Sequence, residues 1–472
     1  MQDLLSFLNA VDDFLYYPVL IVVLTAGGLY FSFRSKFAQV RLCFDPAKLI
    51  MERPGNKHAI SSFGALMVST ASRVGTGNII GVSTAICLGG PGAVFWMWVL
   101  AIIGGASALA ESTLAQIFKQ KNPKTGHSYG GPAYYIEGII HSKALAVIFS
   151  VFLIATYAFG FNALCSYNLQ STFSVYAFYN GNVTPWIIGG VAAIATAWCL
   201  FGGAKRVVGV TMLLVPVMGV VYVVTAFAVM IMKIDMLPAV LKMIFADAFN
   251  FKAIGSGIAG SCLIYGIKRG LYSNEAGVGS APNAAASAET SHPVKQGLIQ
   301  MLSVYIDTIL ICSATAFMCL MSGTPITHEA AGAQYVQDSL RTIFGEAGPI
   351  FITVIMVLFA FTTLLGNLFY VDNALAYING KKMPGESFMR AFKIVCVAVI
   401  FAGAIMPMSA AWAVADILMA GMAFINIPCI MAGGGIVVRA LADYESQRHS
   451  GVNPVFHASS IGLDPEKLDY WK

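Results

Sequence analysis

The sequence predicts an all-α polytopic membrane protein, and three observations lead to that fold class. The 472 residues are 57% hydrophobic and only 11% charged, whereas about 25% of the residues of a soluble domain are charged. Charge-poor runs of about 20 residues, long enough to cross a bilayer as a helix, recur along the chain. Two of these runs are interrupted by glycine-rich polar segments, one in each half of the sequence. Paired interruptions are typical of membrane proteins built from two inverted repeats.

The runs predict about eleven transmembrane helices. They lie at about 14–33, 60–89, 92–118, two within 144–204, 207–232, a half-span at 253–269 that leads into the polar stretch 270–282, 296–321, 348–378, 389–407 and 410–438. The polar segment 179–185 separates the two helices of the long run, and Pro216 is expected to kink its helix. Residues 235–250 alternate polar and apolar residues as a surface helix does.

One leading helix followed by two groups of five gives a 5+5 inverted repeat with one additional N-terminal helix. The expected segments are an outer terminus and extra helix at 1–33, a basic cytoplasmic connector at 34–59, the first repeat at 60–232, an extracellular amphipathic segment at 233–252, the second repeat at 253–438 and a cytoplasmic tail at 439–472.

Basic residues predict the orientation, because positive charge accumulates in cytoplasmic loops. The connector carries Arg34, Lys36, Arg41, Lys48, Arg53 and Lys57, and further lysines and arginines follow at 119–124, 143, 205–206, 295 and 381–390. The short turns near 90 and 180–184 carry none. We therefore expect the amino terminus outside and the carboxyl terminus in the cytoplasm. The leader lacks a positive region, so a cleaved signal peptide is not expected.

The first interruption, residues 71–78 (ASRVGTGN), predicts a binding site inside the membrane. Gly75 and Gly77 disfavour a helix, and free backbone groups at membrane depth are tolerated where they line a cavity or lie buried in protein. Carbonyls of Ala71 and Val74 are then available to a small cation. The amides of Thr76, Gly77 and Asn78 suit a carboxylate, because a helix amino terminus favours negative charge. The alternative is that the glycines only permit close helix packing.

Residues 361–367 (FTTLLGN) supply a second polar cluster. Thr362 and Thr363 offer oxygen ligands, which suit a hard cation such as Na⁺, although threonines also bond to their own helix. Charged residues within the predicted spans are candidates for gates and ion ligands or, alternatively, for structural pairs. They are Arg73, Glu111, Lys268, Arg269, Glu275, Asp307, Asp372 and Asp416.

Several long motifs resemble the alanine or glycine:cation symporter family (the sodium:alanine symporters) of the amino acid–polyamine–cation superfamily. They are 72–79 (SRVGTGNI), 89–98 (GGPGAVFWMW), 130–135 (GGPAYY), 269–282 (RGLYSNEAGVGSAP) and the pairs Gln296-Gly297 and Asp307-Thr308. The resemblance runs from the first helix almost to residue 440. It implies a LeuT-type fold, Na⁺-coupled uptake of a small neutral amino acid, and a bacterial or archaeal inner membrane.

By matching position, the resemblance implies that Ala71, Val74, Thr362 and Thr363 bind sodium. It implies a substrate site at Thr76, Gly77 and Asn78, completed by the second broken helix near 266–272 with Gly266, Gly270 and Tyr272. The chain departs from the family pattern at Cys165 and Tyr167, where relatives have a glutamine and an asparagine, and at Asn367, where many have a tryptophan. These three positions are assigned to the pocket, and they leave alanine, glycine and a larger polar amino acid such as glutamine as candidate substrates.

The expected mechanism is alternating access, in which sodium and the amino acid bind before the helix bundle rocks inward. Proton coupling is the alternative; it would need a carboxylate or histidine in the pocket, and no histidine lies centrally in a predicted span. A channel is less consistent with one long duplicated chain. An enzyme is not expected, because no nucleophile–base or metal constellation is visible, and the nine cysteines show no disulfide or metal spacing. We expect no organic cofactor and no nucleic-acid partner; the oligomeric state stays open.

Overall fold

The computed structural model describes residues 7, 10–12, 14–52, 59–122, 127–250 and 260–471. Seventeen helices carry the architecture of this part of the chain, labelled in order: α1 Ile21–Arg34, α2 Ser62–Arg73, α3 Gly77–Gly89, α4 Ala93–Ile117, α5 Pro132–Ile140, α6 Lys143–Val175, α7 Thr184–Leu200, α8 Ala204–Met232, α9 Leu237–Ala248, α10 Gly260–Asn274, α11 Pro282–Ser287, α12 Pro293–Leu320, α13 Ala333–Phe344, α14 Ala347–Ile378, α15 Glu386–Gly403, α16 Met408–Ala432 and α17 Gly434–His449. A π-helical turn, Leu15–Leu20, leads into α1. Strands β1 (Gln120–Lys121) and β2 (Ser128–Tyr129) form a small antiparallel pair.

The all-α membrane architecture follows the hydropathy pattern. Six described helices combine the length and apolar composition needed to cross a bilayer: α4, α6, α8, α12, α14 and α16. Helices α1, α3 and α7 are shorter and also apolar. Helix α8 continues through Pro216. Proline is tolerated within a membrane helix because packing against neighbouring helices stabilises the interrupted turn. Helix α9 lies within the segment for which the alternating pattern predicts a surface helix.

The first predicted interruption is present. Ser61 caps α2, since its Oγ accepts a hydrogen bond from Gly64 N at 3.0 Å. The helix ends at Arg73, and the next one begins at Gly77 with a π-helical turn, Gly77–Gly81. Two short helices therefore share one membrane run, with their adjoining ends buried among α10, α12 and α14.

The second interruption was predicted near 266–272, and that position is wrong. Helix α10 runs without a break to Asn274, and the chain leaves helical geometry only over 275–281, where Gly277 and Gly279 have φ of 82° and 91°. Gly266 and Gly270 stay helical because they pack closely against α4: a Cβ on Gly266 would lie 2.6 Å from the Ala93 carbonyl oxygen. The predicted beginning of this half-span, 253–259, lies outside the described residues.

The last predicted span also differs. Helix α16 ends at Ala432 rather than near 438, and α17 follows after a turn at Gly433. Beyond α17 the chain folds back under the bundle, where Trp471 Nε1 donates to the Gln116 carbonyl at 2.7 Å. Between α12 and α14, helix α13 occupies part of a connection for which the sequence predicted no element. The basic residues Arg53, Lys57 and Lys124 of the charge pattern lie outside the described residues.

Candidate functional site

The backbone between α2 and α3 carries the features expected of an ion site. In a continuous helix, Gly75 N would donate to the Ala71 carbonyl and Asn78 N to the Val74 carbonyl. Instead Gly75 N donates to Asn78 Oδ1 at 2.7 Å, and Asn78 N donates to the Gly75 carbonyl at 3.2 Å. The carbonyls of Ala71 and Val74 have therefore lost their helical donors at the point where the sequence predicts a cation.

The side chain of Asn78 holds this interruption in place. Its Oδ1 is used by Gly75 N, and its Nδ2 donates to Asp307 Oδ1 at 2.6 Å and to the Asp307 carbonyl at 3.2 Å. The Asn78 carbonyl accepts from Thr315 Oγ1 at 2.7 Å. Asn78 was predicted to bind substrate through its backbone amide, but that amide and both side-chain polar atoms are engaged within the protein.

The two neighbouring threonines of α14 have different surroundings. Thr363 lies against the interruption, since a Cβ on Gly75 would be 2.0 Å from Thr363 Oγ1. That oxygen is buried and has no hydrogen-bond partner within the part of the chain that the structure describes. Thr362 Oγ1 donates to the carbonyls of Leu358 and Phe359 and lies 3.6 Å from Met218 Sδ. The structure thus brings Thr363, and not Thr362, against Gly75 at the interruption.

Thr76, at the interruption, contacts polar residues of α6. Its Oγ1 accepts a hydrogen bond from Asn168 Nδ2 at 3.1 Å, and Cys165 lies beside it. Cys165 Sγ is also 3.5 Å from the Ala360 carbonyl oxygen. Tyr167, predicted with Cys165, is half-buried and lies near Tyr179 instead. A helix turns about 100° per residue, so position 168 shares the face of 165 while 167 lies on another.

An aromatic cluster covers Gly77. A Cβ on Gly77 would lie 2.7 Å from Tyr272 Cε1, so only glycine fits under this ring. Tyr272 packs edge-on against Phe161 and Trp412, with ring centroids 4.9 and 4.7 Å away. Gly266 and Gly270, predicted as substrate contacts on the same helix, face α4 and lie away from this cluster.

Asn367 connects three helices. It lies one turn after Thr363 on α14, and its Oδ1 accepts from Ser72 Oγ at 2.7 Å. Its Nδ2 donates to Asn162 Oδ1 at 3.0 Å. Asn162 and Asn168 are polar residues of α6 that sequence reasoning missed. Their spacing from Cys165, three residues on either side, was the available signal, because it places all three near one helix face.

Seven of the eight intramembrane charges form two groups, and the eighth, Asp372, lies apart from them beside Lys393. Asp416 of α16 pairs with Lys268 at 3.4 Å and with Arg269 at 3.3 Å, and Lys268 also pairs with Asp12. The Arg269 guanidinium stacks over Trp412 at 3.8 Å. These contacts support the interpretation of Asp416 as a structural pair that joins α10 to α16.

The second group surrounds the interruptions. Glu111 accepts from Asn426 Nδ2 at 2.8 Å, and Glu275 accepts from Ser280 Oγ at 2.6 Å. Arg73 Nη1 donates to the Gln300 carbonyl at 3.2 Å, while its Nε and Nη2 have no hydrogen-bond partner among the residues that the structure describes. Within the described residues, no cluster of histidine, cysteine, aspartate and glutamate has the geometry of a transition-metal site. The oxygen donors at the first interruption instead suit an alkali cation.

Comparison with known proteins decides the family. The model of the sodium:alanine symporter family matches residues 1–458. The chain belongs to that family. It is 38% identical over 457 residues to the amino-acid carrier protein AlsT of Bacillus subtilis (strain 168), covering 97% of this chain and 95% of that protein. It is 39% identical over 461 residues to the probable sodium/glutamine symporter GlnT of the same strain, covering 97% and 94%.

An archaeal family member is also similar: the sodium/alanine symporter AgcS of Methanococcus maripaludis is 35% identical over 448 residues, covering 93% of this chain and 96% of that protein. Among solved structures, the MhsT complex with L-phenylalanine superposes with a TM-score of 0.55 at 15% identity, covering 88% of this chain and 93% of that one. A Na⁺-coupled sialic acid symporter gives 0.52 at 15% identity, covering 93% and 92%. These similarities confirm the LeuT-type fold that the sequence predicts.

Proposed function

We propose that this membrane protein imports a small neutral amino acid together with Na⁺ by alternating access. Membership of the sodium:alanine symporter family supports this function. The main structural support is the geometry at the first interruption. The carbonyls of Ala71 and Val74 have lost their helical donors. The Thr363 hydroxyl, which lies against Gly75, has no hydrogen-bond partner among the described residues. Groups left this way inside a membrane protein are stabilised by a ligand that supplies the missing interactions.

In this proposal Na⁺ binds to the carbonyls of Ala71 and Val74 and to Thr363 Oγ1. The ion joins α2 to α14, because two of these ligands belong to the first broken helix and the third to the second repeat. Thr362 is not assigned as a ligand, because its hydroxyl lies 3.6 Å from Met218 Sδ and not against Gly75. Binding of the ion then fixes the relative position of the two repeats before substrate enters.

The substrate carboxylate binds at the amino terminus of α3, where Thr76 and Gly77 begin the helix. A helix terminus carries a partial positive charge of about 0.5 and exposes amide donors. The ring of Tyr272 limits the space above Gly77, which favours a small side chain. Both polar atoms of the buried Asn367 side chain already bond to Ser72 and Asn162, and these bonds hold the amide between helices, where it is less accessible to a larger polar substrate. We therefore favour alanine or glycine over glutamine.

The sodium gradient suffices for concentrative uptake. One charge moving through 100 mV releases about 2.3 kcal/mol, and a tenfold ion gradient adds about 1.4 kcal/mol. Together they support an accumulation of roughly several-hundred-fold of a neutral solute. We further propose that the protein lies in a bacterial or archaeal cytoplasmic membrane, with the amino terminus outside and the carboxyl terminus inside.

Uptake of labelled alanine, glycine and glutamine into proteoliposomes tests the proposal. An inward Na⁺ gradient should drive alanine and glycine above their external concentration, and the amino acid recovered inside should be chemically unchanged. Replacing Na⁺ by choline should abolish accumulation. Sodium-independent flux that stops at equilibrium would contradict symport and would support a channel.

A further inference from the structure

The carboxyl-terminal segment, residues 450–471, packs where α4 and α11 end and where α2 and α12 begin. With the orientation proposed above, this side of the molecule faces the cytoplasm. Here Glu289 N, near the end of α11, donates to the Ile60 carbonyl, just before α2, at 3.0 Å. The bond joins the first repeat to the second. Inward opening has to separate these ends, because alternating access moves the repeats relative to each other.

The end of α4 holds the residue next to this bond. The Ala288 carbonyl accepts from Gln116 Nε2 and from Lys119 Nζ, each at 2.9 Å. Gln116 lies in the last turn of α4, and Lys119 lies two residues beyond the helix. Both side chains are fully buried. The end of α4 therefore fixes the end of α11, to which the beginning of α2 is bonded.

The last described residues of the carboxyl-terminal segment hold Gln116 and Lys119 in turn. Trp471 Nε1 donates to the Gln116 carbonyl at 2.7 Å. The Lys119 ammonium lies 3.9 Å from the ring centroid of Tyr470 and 5.1 Å from that of Trp471. Contacts between a cation and an aromatic ring are strongest where water is excluded, as it is around Lys119. If the two rings leave, water reaches the ammonium and competes with its bond to Ala288.

A second attachment joins the carboxyl-terminal segment to the other repeat. Phe456 N donates to the Ser291 carbonyl at 2.9 Å, and Ser291 Oγ donates to the Pro454 carbonyl at 2.7 Å. Ser291 lies between α11 and α12. Phe456 also packs edge-on against Trp471, with ring centroids 5.2 Å apart. The segment is thus bound at once to α4 of the first repeat and to the α11–α12 connection of the second.

An open space borders the other side of the carboxyl-terminal segment. A cavity of about 450 Å³ lies between Lys467 and Asp469 of the segment and Glu137 of α5. Glu137 pairs with Lys381, just after α14, at 2.8 Å. The segment therefore has room to move away from its attachment to α4.

We propose that the carboxyl-terminal segment acts as a strap that keeps the cytoplasmic side of the transporter closed. The segment holds the end of α4 against the end of α11, and α11 holds α2 through the bond between Glu289 and Ile60. When Tyr470 and Trp471 leave Lys119, the end of α11 is released, and α2 moves away and opens the site to the cytoplasm. This inference rests on the symport function and the orientation proposed above.

Hydrogen–deuterium exchange of the purified full-length protein in Na⁺ tests the strap, because amide exchange reports local opening. Trp471→Ala removes a hydrogen bond and a ring, and Lys119→Met removes the charge that faces both rings. Each variant should speed exchange in residues 60–73 and 284–291 about fivefold, the change expected from the loss of one neutral hydrogen bond. The double variant should exchange no faster than the faster single variant, because both substitutions break the same contact.

Trp198→Ala is the matched control. The Arg206 guanidinium lies 5.1 Å from the Trp198 ring at the end of α7, and α7 packs against α6, α8, α14 and α15. This variant loses the same kind of contact at a place away from the carboxyl-terminal segment, and its exchange in residues 60–73 should equal that of the wild type. Tyr470→Phe keeps the ring that covers Lys119 and should also behave as the wild type does.

Na⁺ dependence in proteoliposomes gives a second measurement. The proposed Na⁺ ligands on α2 and α14 come together only when α2 is closed. Trp471→Ala and Lys119→Met should therefore need about fivefold more Na⁺ for half-maximal alanine uptake.

Faster exchange confined to residues 450–471 in both variants would overturn the proposal, and so would equal acceleration of residues 60–73 by Trp198→Ala. If Trp471→Ala does not fold, Trp471→Phe replaces it, since that variant keeps a ring and loses only the bond to Gln116. Absence of Na⁺-driven uptake in the wild type would contradict the symport function, whereas the exchange measurement would still decide whether the carboxyl-terminal segment keeps α2 closed.

Discussion

The amide of Gly75 donates to the side-chain oxygen of Asn78 at 2.7 Å, and this bond replaces the helical bond to Ala71. One asparagine three residues downstream thus satisfies the backbone donor that a broken helix leaves unpaired. The same asparagine reaches Asp307 through its nitrogen. The interruption is therefore a defined structure with its own hydrogen bonds, and the carbonyls of Ala71 and Val74 have lost their helical donors.

The two adjacent threonines of α14 allow a direct test of the sodium site. Thr363→Val removes the hydroxyl that lies beside Gly75, and it should raise the Na⁺ concentration for half-maximal uptake about tenfold, equivalent to about 1.4 kcal/mol. Thr362→Val makes the same chemical change one residue away, where the hydroxyl bonds to its own helix, and it should have little effect. Equal Na⁺ responses of the two variants would exclude Thr363 as a ligand.

Gly75 should not tolerate a side chain. A Cβ there would lie 2.0 Å from Thr363 Oγ1, and relieving such overlap in a packed core costs about 1–3 kcal/mol. We expect Gly75→Ala to lose Na⁺-driven uptake and Na⁺-induced thermal stabilisation. Gly81→Ala, in the following helix, meets its nearest heavy atom at 4.0 Å and should transport normally. Normal uptake by Gly75→Ala would show that the interruption does not need this close approach.

Substitution of Asn168, rather than of Tyr167, should weaken the apparent affinity for the substrate. Asn168→Ala removes the donor to Thr76 Oγ1, a loss of about 1 kcal/mol for a neutral hydrogen bond. The KM for alanine should therefore rise about fivefold, since about 1.4 kcal/mol corresponds to tenfold. Tyr167→Phe removes a hydroxyl on another helix face and should leave KM unchanged. The reverse order of effects in an uptake assay would place Tyr167 in the pocket.

Protonation of His292 at acid pH should destabilise the packing of the carboxyl-terminal segment. His292 precedes α12 and lies outside the spanning helix. Burial lowers the pKa of His292 to about 4, although the hydrogen bond to Asp443 opposes this shift. His292 Nδ1 accepts from Val294 N, so Nε2 carries hydrogen and donates to Asp443 Oδ2 at 3.2 Å. Because the folded pKa lies below the unfolded value of about 6.5, the contribution to stability is complete above about pH 6.5 and is lost as the pH falls toward 4.

Limited proteolysis of residues 450–471 in detergent measures this effect, since Phe456 packs edge-on against His292 with ring centroids 5.4 Å apart. Cleavage should accelerate as the pH falls below about 6.5. His292→Gln keeps an acceptor and a donor but cannot take a proton, so it should be insensitive to acid. His457→Gln, at an exposed position of the same segment, should respond as the wild type does. Acid sensitivity of His292→Gln equal to that of the wild type would contradict the prediction.

The sequence by itself determined the membrane class, most helix positions and the first interruption, because these depend on local composition. Apolar runs of about 20 residues span the bilayer as helices whatever surrounds them. The glycines on either side of Thr76 lower the helix propensity in any tertiary context. The same local reasoning misplaced the second interruption. Gly266 and Gly270 have low helix propensity, yet close packing against α4 keeps them helical, and only the tertiary structure shows that contact.

Side-chain direction was likewise decided by the tertiary structure. Thr362 and Thr363 are chemically identical and adjacent, so no sequence pattern separates the one that faces Gly75 from the one that bonds to its own helix. In the sequence, nothing distinguishes Asp307 from the other seven intramembrane charges. In the structure it lies between Asn78 and Ser273, which are far apart in the chain. Composition and periodicity act over a few helical turns, whereas these contacts depend on how the two repeats pack against each other.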